Sequence, residues 1–178
     1  MKKIIAMLLV GLMLIGGTGA VFAQELAAND QQKLLDERYE MRELHFKAIK
    51  EFQEEFHKIN QLKRERLGQR IEISEKHDTI LDLYIVAKEN GDREALFAAR
   101  EIRKEIRAVN REIKALFEEV HSERKAFRVQ VKNDDFKAAQ IHLNNVISLL
   151  EKINDKLEIK KELLDSVIEV LSGDDVKL

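Results

Sequence analysis

Glu54 and His57, and again Glu118 and His121, stand three residues apart. On a helix that spacing sets a carboxylate and an imidazole on one face, the arrangement that di-iron carboxylate bundles use for metal. If the chain folds back at Gly91, the two pairs come within about 6 Å of the same axial level. However, Lys50, Glu54, His57 and Gln61 form a polar stripe, as do Lys114, Glu118, His121 and Lys125, whereas metal sites of that kind project into a bundle. A metal-binding bundle is therefore the third reading, with no metal residues or cofactor assigned. Ser74, Ser122, Ser148 and Ser166 have no identifiable histidine and carboxylate partners, and there is no glycine elbow or phosphate-cradling glycine loop. The chain has no cysteine, which removes thiol nucleophiles and thiolate metal sites. We expect no enzyme and no small-molecule substrate.

The residues that carry a signal are the charges, and their meaning depends on the elements that position them. Charged residues make up 36% of the sequence and aromatics 6%, with no proline and seven glycines. That composition excludes a β-sandwich and leaves a helical, coiled-coil-like chain. Turn chemistry is confined to few places. Asn29-Asp30 can cap a first helix; Asn90-Gly91-Asp92 supplies a left-handed glycine and a following N-cap, and Asn133-Asp134-Asp135 offers the same chemistry. Gly68 either kinks a continuous helix or divides it. An internal repeat at an offset of 44 residues aligns Ala95, Ala99, Ile102, Ile106, Val109, Asn110 and Ile113 with Ala139, Leu143, Val146, Leu150, Ile153, Asn154 and Leu157.

The spacing predicts long helices over 92–132 and 135–172, each with a seven-residue apolar rhythm. In the second the rhythm is interrupted only by Lys160, and its broader apolar face predicts two neighbours. The first segment is less regular, with a stripe from Met41 through Leu44, Ala48, Ile49, Phe52, Phe56, Ile59 and Leu62 that resumes at Ile73, Ile80, Leu81, Tyr84 and Ala87. The expected fold is all-α: an elongated antiparallel bundle of three long helical segments, with a kink or break in the first as the alternatives at Gly68, and with a projecting N-terminal arm. Phe52, Phe56, Phe117 and Phe127 are expected in the core. His45 and His77 fall near the seam of the first helix, and His142 flanks the core of the last.

With the seam placed, the outermost positions of helix 92–132 are Arg93, Phe97, Arg100, Lys104, Arg107, Arg111, Lys114, Glu118, His121, Lys125, Arg128 and Lys132. Nine of these twelve are basic and one is acidic, a strip of about 55–60 Å that attracts anions at long range. Arg93, Arg100, Lys104, Arg107, Arg111 and Lys114 are the candidate partner-binding residues. The matching positions of the last helix include Glu151, Asp155, Glu158, Glu162 and Asp165 and no base. Those acids are a candidate self-association face, because opposite faces on one molecule can join head to side. Antiparallel pairing about the Asn133 turn brings Glu112 near Lys156.

The N-terminus reads as an export signal. Lys2 and Lys3 precede an apolar run, and Val21-Phe22-Ala23 supplies the small residues of a cleavage site, so we expect removal of residues 1–23 with the cut between Ala23 and Gln24. A short lead (24–29), one bundle domain (30–172) and a disordered tail (173–178) follow, and the mature chain is expected to be secreted or periplasmic. The leading functional reading is an exported, non-enzymatic interaction or scaffold protein whose basic face binds an acidic partner, either a protein or an anionic envelope component, or that self-associates as a homo-oligomer. Nucleic acid is disfavoured by export, by a pI of about 6.3 and by the lack of interleaved aromatics. A proline-free helical chain with an arginine-rich face is similar in broad style to the Spy and CpxP group of periplasmic chaperones, which implies a holdase as the alternative. The Leu-Thr-x-x-Gln motif of that group does not occur here, and no residue roles carry over from it.

Overall fold

A computed structural model describes residues 39–173, so the export signal, the Asn29-Asp30 cap, residues 30–38 and the tail beyond Gly173 lie outside the described residues. The described chain divides into two units, taken separately. In residues 39–45, which are helical, the Arg42 guanidinium stands 6.0 Å from the centre of the Tyr39 ring. The other unit runs from Phe46 and holds three long helices, α1 (Gln53–Glu89), α2 (Arg93–Lys132) and α3 (Phe136–Ser172). Among the described residues there is no strand, so the Thr79–Val86 run, despite its β-branched residues, is helix. No described helix is long and apolar enough to cross a membrane.

α2 and α3 begin, and α1 and α2 end, where local chemistry requires it. The Asp92 carboxylate accepts from the Ala95 amide at 3.0 Å, and the Asp135 carboxylate accepts from the Ala138 amide at 3.0 Å, satisfying amides that lack a partner in the first turn. The preceding helices close through one pattern of backbone bonds: the Asp92 amide donates to the Ala87 carbonyl and the Asp135 amide to the Gln130 carbonyl. This pattern needs a left-handed residue, supplied by Gly91 (φ 69°) in one turn and by Asp134 (φ 56°) in the other. The caps therefore repeat at 43 residues, while the buried pairs Ala99/Leu143 and Ile106/Leu150 keep the offset of 44. The second helix starts one residue earlier relative to its own seam.

α1 runs unbroken through Gly68; the interruption falls instead at Phe52. A methyl group built at Gly68 meets nothing within 4 Å, and its φ is not positive. Gly68→Ala should therefore stabilise the bundle by about 0.5–1 kcal/mol, through helix propensity and a less flexible unfolded chain. Gly91→Ala should cost about 1 kcal/mol or more because the left-handed turn strains any Cβ. Urea titrations followed by helical ellipticity check both signs.

α3 is the spine. It contributes most of the fully buried side chains, among them Ala139, Val146, Leu150, Ile153, Leu164 and Val167. α1 and α2 each pack along it, while they touch one another at few positions. α3 is antiparallel to α2, as the Glu112–Lys156 ion pair at 2.6 Å shows, and parallel to α1, as Lys58–Glu151 at 3.4 Å and Lys76–Asp165 show. The register with α1 is marked by a buried amide pair. Asn154 Nδ2 donates to the Leu62 carbonyl at 3.1 Å, and Gln69 Nε2 donates to the Asn154 carbonyl at 3.2 Å and to Glu158 Oε1 at 2.7 Å. A one-turn slip would strand these groups in apolar surroundings, so the pair selects one alignment.

Residues 46–52 do not project from the bundle, as an arm would. Ala48 and Phe52 are buried, and Lys47 binds Asp134 at 2.8 Å while its ammonium lies 4.5 Å from the Phe136 ring centre. Phe52, Phe56, Phe127 and Phe136 close this end of the bundle with ring centroids about 6 Å apart. Phe117, expected in the core with them, is 40% exposed. The α1–α2 gap leaves its ring at an open edge.

Candidate functional site

All twelve outer positions of α2 from Arg93 to Lys132 are exposed, as the seven-residue rhythm requires. Of the nine bases among them, only Lys104 has a carboxylate partner among the described residues, Glu101 one turn earlier at 2.7 Å. Arg93, Arg100, Arg107, Arg111 and Lys114 hold no ion pair there. Carboxylates on the far flank of α2 turn away toward α3: Glu112 to Lys156 and Glu123 to His142 Nδ1 at 2.7 Å. The bond from His142, helped by Asn145, holds the Glu123 carboxyl below the usual range. Segregation of charge on this helix thus follows from which flank meets α3.

The acidic positions of α3 are also exposed, but they are not equivalent to one another. Glu151 meets Lys58, Asp165 meets Lys76, and Glu158 meets Gln69 and Lys161. These hydrogen bonds, that of Gln69 foremost, lower the Glu158 pKa, and Glu72 followed by Glu158 raises that of Lys161. Asp155 and Glu162 have no ion-pair partner among the described residues. Three of the five acids proposed for self-association therefore already tie α3 to α1 or to its own next turn.

Glu54, His57, Glu118 and His121 are exposed, and among the described residues no group of three or more potential metal ligands converges. His45 is exposed, and His142 is half-buried against Glu123. His77 does not pack into a seam; it opens onto the gap between α1 and α2. Partial burial, then Lys160 from α3 and Arg103 from α2, lower its pKa, opposed only by neighbouring Asp78. Burial likewise lowers that of Lys160. Nearby, the Arg66 guanidinium lies 5.2 Å from the centre of the Phe117 ring, and that of Arg103 lies 5.1 Å from Tyr84.

These inner cations were not among the sequence candidates. Their one visible trace was Lys160, the single charge interrupting an otherwise apolar rhythm; Arg66, Arg70 and Arg103 stand out only once α1 and α2 are placed on α3. In comparisons with known proteins, the chain matches no family model, no curated protein and no solved structure.

Proposed function

We propose that this chain is an exported, non-enzymatic helical binding protein that captures an anionic partner on the outer face of α2. The observation that supports the reading is the exposed row Arg93, Arg100, Lys104, Arg107, Arg111 and Lys114, in which only Lys104 has a carboxylate partner among the described residues. Charges spent on holding a bundle together sit within reach of opposite charges, as Lys58, Lys76, Lys156 and Lys161 do. A row without such partners, repeated over several helical turns, costs self-repulsion that an anionic ligand relieves, and its field speeds encounter.

Poly-glutamate is a suitable probe. Replacing Arg100, Arg107 and Arg111 together by alanine should leave helical ellipticity unchanged and weaken capture by about 10- to 100-fold at low salt, roughly 0.5–1 kcal/mol for each charge. Raising salt toward about 0.5 M should weaken the parent protein similarly. Affinity that ignores both changes would refute the reading.

A holdase is the second reading. It is supported by apolar side chains left on the surface, including Ile71, Leu81, Phe97 and Ile141, each more than half exposed. Light scattering from an aggregating client separates the two: suppression at stoichiometric amounts favours the holdase, and none removes it.

A further inference from the structure

α3 supports two helices that scarcely touch each other, so three positions of a four-helix arrangement are filled and the one opposite α3 is open. Along that opening lie two hollows of about 550 and 430 Å³, with His77 lining both. Their walls and floor include Ile73 and Ile80 from α1, Ile106 and Ile113 from α2, and Leu164 and Val167 from α3. From Arg66 to Tyr84 the cleft follows about 27 Å of α1, five helical turns.

Charge in the cleft has one sign. Arg66, Arg70, Arg103, Arg107 and Lys160 line the hollows, and no carboxylate does. Arg66 is crowded by burial and by the charges of Arg124 and Arg70, and its buried Nη1 has no hydrogen-bond partner. Lys58, Lys76, Lys156 and Lys161 each meet a carboxylate, but the cations of the cleft repel one another over an apolar floor. That combination is unfavourable for the bundle alone and complementary to something both apolar and acidic.

We propose that the cleft between α1 and α2 seats an acidic amphipathic helix of a partner protein, which docks as the fourth helix. Its apolar stripe lies on the accessible lining side chains Leu81, Tyr84, Ile113 and Phe117, above isoleucines that are already buried, and its flanking carboxylates meet Arg66, Arg70, Arg103 and Lys160. A helix fits where other anions do not. The cleft repeats every helical turn over about 18 residues of partner, a flat lipid surface does not enter between two helices, and a hydrophilic polyanion leaves exposed Leu81 and Phe117 uncovered. This goes beyond capture on the outer face of α2: of the charged residues named, only Arg107 belongs to both surfaces.

The test uses the full chain and a labelled synthetic peptide of about 18 residues, with leucines on one helical face and glutamates flanking them. A scrambled peptide of the same composition, poly-glutamate and phosphatidylglycerol vesicles are the comparisons. The amphipathic peptide should saturate at one per bundle and bind at least about tenfold more tightly than its scrambled form. Arg66→Gln with Arg70→Gln should weaken it about tenfold or more, whereas Arg93→Gln with Arg100→Gln should change it less than about twofold. Lys160→Met guards against misfolding: it removes a desolvated charge, so the melting temperature should hold or rise while peptide binding falls. Equal binding of the two peptides, no peptide binding, binding of vesicles alone, or loss only with the outer-face pair would each overturn the proposal. The last result would leave the outer-face reading standing, and loss of poly-glutamate capture alone would sink that reading while sparing this one.

Discussion

Phe52→Ala should cost about 3–5 kcal/mol, the range for emptying a fully buried aromatic site. Phe52 is 1% exposed and sits at the break before α1, edge-on to Phe127 at 5.6 Å and stacked with Phe136 at 5.8 Å. Its removal opens a void beneath rings from α2 and α3, which cannot close because Phe127 also leans on Phe56. Against a domain stability of about 5–15 kcal/mol, the midpoint of thermal unfolding should fall by roughly 10 °C or more. Phe97→Ala, at a phenylalanine 64% exposed, should stay within about 0.5 kcal/mol. Circular dichroism melts of the two variants make the comparison, and a small effect at Phe52 would show that this end of the bundle is not pinned by its rings.

Asn154→Asp should cost about 3 kcal/mol at neutral pH although it changes almost no volume. Asn154 is buried at the α1–α3 contact, where its Nδ2 donates to the Leu62 carbonyl and, at 3.4 Å, toward Glu65. A carboxylate there loses that donor and turns a charge toward a carbonyl oxygen and Glu65. Burial and like charge favour its protonated form, so its folded pKa lies above the ordinary carboxylate value. The penalty is present above that raised pKa and is relieved as pH falls through it, vanishing below about 3.9. Glu123 and Glu158 act in the opposite sense: their lowered pKa values add stability above the ordinary glutamate range that is lost as pH falls through their folded values. The gap between parent and variant melts should therefore narrow on acidification even as the parent weakens. Asn154→Leu separates charge from polarity. It gives up the donation to the Leu62 carbonyl, worth about 1 kcal/mol, and the longer one to Glu65, but gains apolar burial, and Gln69 keeps both its partners because one is the main-chain carbonyl of residue 154. That variant should stay within about 1 kcal/mol of the parent.

Helix limits and inside-outside assignment were legible because they are local. Asp92 and Asp135 satisfy amides three residues away, and the seven-residue spacing that buries Ala99, Ile106, Leu143, Leu150 and Ile153 is the same spacing that exposes Arg100, Arg107 and Arg111. The Glu112–Lys156 pair follows from the same reasoning, since a short turn leaves little choice of register. The acidic face of α3 was less legible. Its exposure could be read, but whether Glu151 and Asp165 stay available depends on Lys58 and Lys76, about ninety residues earlier.

What the sequence by itself determined is therefore α2 and α3, with their buried seams and outer charge, while the start of α1 after Phe52 and its continuity through Gly68 came only from the structure. What only the tertiary structure decided is how three amphipathic rods share their faces. α3 carries enough apolar surface for two neighbours, and the periodicity of α1 and α2 is compatible with touching each other or only their common support. Here the amide pair at Gln69 and Asn154 and the ion pairs beside it hold α1 along α3, leaving α1 and α2 apart. Arg66, Arg103 and Lys160 become neighbours only through that choice, because mutual repulsion between residues distant in the chain acts only once packing brings them together.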